Sequence, residues 1–92
     1  MRLTKKGFCE WLKSKDPAEV VGRPRIQEAC PIATYLNETT GEIDWHVDGD
    51  HYANLRHKRK MPPWASDFVL HIDGFKHRVS ASKALKILGE VT

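Results

Sequence analysis

Two cysteines in 92 residues are too few for a disulfide framework. A small chain without one must hold itself together with an apolar core. Cys9 and Cys30 therefore read as free or buried thiols in a reducing compartment. No apolar run approaches the roughly 18 residues of a membrane span, and the first residues lack the apolar stretch of a secretory leader, so the expectation is a cytoplasmic protein with no membrane partner. A glycine-rich phosphate loop, a Gly-x-Ser-x-Gly elbow and a Cys-x-x-Cys pair are also missing. Their absence removes the enzyme classes with strong signatures and leaves no cofactor to expect. Lys and Arg are absent from residues 31 to 54, which carry five acids: Glu38, Glu42, Asp44, Asp48 and Asp50.

Hydrophobic residues at 40% and charged residues at 29%, with three Trp, place the chain among globular proteins, and its length suits one domain over residues 1 to 92. The net charge of +3 is unevenly spread. Residues 1 to 30 hold seven Lys/Arg against four Asp/Glu, and residues 55 to 92 hold eight against three, so the acidic middle has basic flanks. Either the segments neutralise each other within the fold, or the basic ends share a face that meets phosphate or an acidic protein partner.

Hydropathy periods predict an α+β fold: N-terminal helices, a small antiparallel sheet of about three strands, and a C-terminal helix packed on that sheet. Thr4 caps a helix with Phe8, Trp11 and Leu12 on one face. Asp16-Pro17-Ala18-Glu19 has the form of a short second helix ended by Gly22. Cys30-Pro31 starts another, with Ile32, Ala33, Tyr35 and Leu36 on its apolar side. From Glu42 the period becomes two, predicting a strand over residues 42 to 48 with Ile43, Trp45 and Val47 inward. Residues 50 to 67 read as a long surface connection, with one helical turn near Tyr52 to Arg56. Asp73-Gly74 between two β-rich runs predicts a type I′ hairpin that sets Phe68, Leu70, Ile72, Phe75, His77 and Val79 toward the core and Val69, His71, Lys76 and Arg78 away from it. Ser80 caps the last helix, whose Ala81, Ala84, Leu85 and Leu88 should lie on the hairpin and which Gly89 closes.

Arg56-His57-Lys58-Arg59-Lys60 is the one dense charge run. It lies between Tyr52 and Trp64, and cations interleaved with aromatics are the pattern of nucleic-acid contact, phosphates on the cations and bases on the rings. Arg56, Lys58, Arg59, Lys60, Tyr52 and Trp64, together with Lys76 and Arg78 from the hairpin face, make up the candidate nucleic-acid site. The competing account is a solvated loop, or one that pairs with the acidic strand. Trp64, within Met61-Pro62-Pro63-Trp64, also suits an anchor for a protein partner. Cys9 and Cys30 have no base at a recognisable spacing and are better read as small buried side chains. His77 reads as a core histidine.

His46-Val47-Asp48-Gly49-Asp50-His51 places four metal-capable side chains in six residues. It resembles the His-x-His-x-Asp-His run of metallo-β-lactamase-fold hydrolases, with Asp48 where that motif has its second His. That fold requires a much longer chain with further ligands downstream. The spacing of Phe8-x-x-Trp11-Leu12, Val21-Gly22 and Cys30-Pro31-Ile32-Ala33-x-Tyr35-Leu36 resembles that of small proteins of bacteria and their phages, and no function comes with this resemblance. The order of expectation is a small non-enzymatic binding domain associated with nucleic acid, then a protein-binding regulator or inhibitor, and last a metal-dependent hydrolase.

Overall fold

Thr4 does start the first helix: its hydroxyl accepts from the Gly7 amide at 3.1 Å, and α1 runs Lys5–Lys13. The computed structural model describes residues 3–22, 30–74 and 78–91. Cys30 caps α2 (Pro31–Thr39), its sulfur accepting from the Ala33 amide, with Pro31 in the first turn where no amide donor is needed. Burial pushes the Cys30 thiol up to about 11. Ser80 caps α4 (Ala81–Glu90) in the same way, accepting from the Lys83 amide. All three helix starts occur where the sequence places them.

Residues 16 to 19 form a turn instead of the expected short helix. The Asp16 side chain accepts from the Ala18 amide, and β1 (Val20–Gly22) follows. The turn has a tertiary role, because the Pro17 and Glu19 carbonyls accept from the Ser82 and Ala81 amides, which α4 itself cannot satisfy. β1 pairs antiparallel with β5 (Val79–Ser80). Gly22 is required there by close approach: a Cβ at this position would sit 2.4 Å from the Pro31 nitrogen. Val21-Gly22 and Cys30-Pro31 are therefore direct neighbours.

The Asp73-Gly74 hairpin is corrected. Residues 63 to 73 form α3 (Pro63–Asp73), with Ala65, Phe68, Val69 and Ile72 buried at i, i+3, i+4 and i+7. Leu70, which the hairpin would have buried, is 68% exposed. A type I′ turn needs positive φ at both central residues, whereas Gly74 has φ −75° and closes the helix as its C-cap. The other half of that hairpin, residues 75 to 77, lies outside the described residues, and with it the core reading of His77 and the position of Lys76.

The three-stranded antiparallel sheet takes one strand from the segment where a strand is expected and two from the segment read as a surface connection. β2 (His46–Val47), β3 (His51–Ala53) and β4 (Lys58–Lys60) form a meander in chain order. β2 is shorter than the strand expected over residues 42 to 48. Gly41 and Asp44 both adopt positive φ, which turns the chain and leaves Ile43 72% exposed while Trp45 and Val47 stay buried. The expected helical turn at Tyr52 to Arg56 is instead the end of β3 and the tight turn to β4.

Helices and sheets close over one core centred on Phe8, whose ring lies within 6 Å of Trp11, Tyr35, Trp64 and Phe68. Trp11 ties α1 to α2 by donating to Glu38 at 3.2 Å, and Lys15 joins the same carboxylate at 2.8 Å while lying over the Trp11 ring. α4 packs against α1 and α3. Its buried residues are Ala81, Ala84, Ile87 and Leu88, with Leu85 only half-buried. Leu88→Ala is therefore expected to cost about 2–5 kcal/mol. Leu85→Ala should cost well under half of that, and equal losses in urea denaturation would contradict this packing.

Candidate nucleic-acid interface

Two side-chain carbonyl oxygens shape the meander. In the β2–β3 turn the Asp48 carboxylate accepts from the Asp50 and His51 amides, each at 2.7 Å, while the Asp48 amide donates to the His51 carbonyl. In the β3–β4 turn Asn54 repeats the arrangement, its side chain accepting from the Arg56 and His57 amides at 2.8 Å. Both are Asx turns, in which a short polar side chain stands in for a backbone acceptor.

The two amides hold the Asp48 carboxyl below the usual aspartate range. A depressed value in the folded state stabilises it above the unfolded pKa of about 3.9, and that contribution is lost as pH falls through the folded value. Asp48→Asn keeps an acceptor but not its charge. Wild type should melt above this variant at neutral pH, and the gap should close in acid. A gap of equal size at pH 2.5 and pH 7 would show that Asp48 ionisation does not support the turn.

The register of the meander decides which side chains share a face. Val47, Tyr52 and Arg59 form one row, facing the core at Val47 and Tyr52. His46, Ala53 and Lys58 form the next row, and His51 pairs with Lys60, so the outer face carries His46, His51, Lys58 and Lys60. β4 is an edge strand, exposed at all three of its residues. Among the described residues Lys58, Arg59 and Lys60 make no ion pair. Among the described residues the acid that meets the run is Glu42, which takes His57 at 2.9 Å and Arg56 at 3.7 Å, with the His57 ring stacked on Trp45. The acidic segment thus engages one end of the basic run only. Arg59 also borders a hollow of about 150 Å³ with Thr40, Glu42, Trp45 and His57.

The structure brings together part of the expected site. Arg56, Lys58, Arg59 and Lys60 lie on one hairpin. Tyr52 belongs to the same sheet but is 4% exposed and packs on Trp45, so it offers no open face to a base. Trp64 is half-buried against Phe8. Arg78 is exposed but precedes β5, in the other sheet, and Lys76 lies outside the described residues. His46, Asp48, Asp50 and His51 are the metal-capable side chains of the run from 46 to 51. Among the described residues no three His, Cys, Asp or Glu side chains are arranged to hold a metal, and the Asp48 carboxylate is occupied by turn amides. The place of His46 and His51 beside Lys58 and Lys60 is a product of the strand register, which residue spacing alone does not disclose.

An α+β domain with a basic, solvent-facing sheet edge is the class that these observations define. Among the described residues no helix is long and apolar enough to cross a membrane. Comparison with known protein families, with curated proteins and with solved structures gives no match.

Proposed function

We propose that the chain binds nucleic acid through phosphates, using the β3–β4 hairpin as its contact surface. The observation that carries this reading is the edge strand Lys58-Arg59-Lys60, three consecutive exposed cations that form no ion pair among the described residues, extended by Arg56 at the turn. Cations kept clear of partner carboxylates are available to displace the counterions condensed on a phosphate backbone. His46 and His51 on the outer face add hydrogen-bonding groups beside these cations. With Tyr52 buried and Trp64 half-buried, the contact is to the backbone and discriminates little between base sequences.

Lysines on an exposed strand edge also deter sheet-to-sheet aggregation, and the salt dependence of binding separates the two roles. Labelled duplex and single-stranded oligonucleotides should bind with log affinity falling against log salt at a slope near −0.9 per duplex contact and −0.7 per single-strand contact. Four contacts then predict a loss of roughly 150-fold between 50 and 200 mM salt on duplex. Absence of binding at 50 mM would reject the reading and favour a protein partner.

A further inference from the structure

We propose that the groove between α1 and α4 is a docking site for an acidic amphipathic helix of a partner protein. The groove is separate from the basic sheet edge, and the proposal does not depend on the nucleic-acid reading. It has a volume of about 580 Å³, a floor of Cys9, Leu85, Leu88 and Gly89, and a rim of Lys5, Lys6 and Lys13. Among the described residues no acidic side chain lines it. Glu10 and Glu90, the chain neighbours of Cys9 and Gly89, lie outside the lining. Lys5 donates to the Val91 carbonyl at 2.9 Å and so fastens α1 to the end of α4, while Lys6 and Lys13 form no ion pair among the described residues.

Gly89 is the clearest mark of a built groove. It sits within α4 and not at its C-terminal cap, its backbone needs no positive φ, and a Cβ there would meet nothing within 4 Å. Glycine inside a helix costs about 0.5–1 kcal/mol relative to alanine, and no contact among the described residues requires it here. What it leaves is open space above the floor. Cys9 is also small, so two facing positions keep the groove shallow enough for a third helix backbone to approach.

The form and charge of the groove select the occupant. It opens to solvent along its length, whereas a small ligand needs a cleft that encloses most of its surface. A helix brings its own second face to cover an open groove, seating apolar residues at i, i+3 or i+4 and i+7. Lys5 and Lys13 lie eight residues apart, about 12 Å along α1, matching the two turns of such a ridge. Asp or Glu flanking the ridge would meet Lys6 and Lys13, setting orientation and rejecting basic helices.

A phage-displayed library of helix-favouring peptides, selected on the full chain, tests this directly. Enriched peptides should carry an apolar ridge flanked by Asp or Glu. They should slow modification of Cys9 by dithiobis(nitrobenzoate), and the reading is specific to the groove because Cys30 is buried and its thiol is held protonated. Gly89→Glu, which places a carboxylate over the floor without touching the fold, should weaken them by about tenfold or more. Lys6→Glu combined with Lys13→Glu should do the same, and changing the peptide acids to lysine should restore binding to that double variant. The proposal is overturned if no acidic amphipathic peptide is enriched, if the enriched peptides bind Gly89→Glu unchanged, or if dodecanoate shields Cys9 at lower concentration than any of them.

Discussion

Replacing Phe8 with alanine is expected to destabilise the fold by about 3–5 kcal/mol. Phe8 is 0% exposed and touches rings from three helices: Trp11 on its own α1, Tyr35 on α2, and Trp64 and Phe68 on α3. Two of these contacts, with Tyr35 and Phe68, are edge-on and add to the area term. The neighbours belong to different helices, so the space left cannot close by moving one side chain. Against a typical total of 5–15 kcal/mol, this loss would bring the chain near its unfolding threshold at 37 °C. Thermal denaturation followed by circular dichroism measures it. A loss below about 1 kcal/mol would mean that the aromatic cluster is not the centre of the core.

The second large effect concerns binding. Changing Arg56, Lys58, Arg59 and Lys60 together to Thr should flatten the duplex salt slope by about 0.9 for each phosphate contact removed, up to about 3.6 if all four make one. The fold should persist, because each of these side chains is exposed and none belongs to the core cluster, and surface substitutions of this kind usually stay within about 0.5 kcal/mol each. Thr suits a strand, so β4 should keep its pairing with β3. Tyr52→Phe should leave oligonucleotide affinity unchanged, since that ring faces Trp45. An unchanged salt slope in the quadruple variant, with its melting temperature intact, would place the phosphate contact elsewhere on the protein.

Residues 68 to 74 show where local reasoning reaches its end. Phe68, Val69, Leu70 and Ile72 satisfy a period of two as well as a period of 3.6, and a run this short does not choose between them. Ala65 one turn upstream and Pro63 at the first helical position were readable signals for a helix. Asp-Gly, which marks a hairpin turn, also closes helices. The packing of Trp64 and Phe68, one turn apart on this helix, against Phe8 of α1 decides for α3.

Local sequence suffices for the three capped helix starts at Thr4, Cys30 and Ser80, the positions of Phe8, Trp11, Leu12, Ile32 and Leu36 in the core, and the existence of a basic run at residues 56 to 60. Each depends on neighbours within one or two turns, so spacing suffices. Tertiary structure alone decided that β3 and β4 are strands, because three-residue segments have no period to read and exist only by pairing with each other. It alone set His46 and His51 beside Lys58 and Lys60, through a register fixed by two Asx turns. It also left Leu85 and Cys9, expected in the core, and Gly89, expected to close the helix, lining an open groove, since the inward side of α4 is defined by α1 and α3, which no residue of α4 encodes.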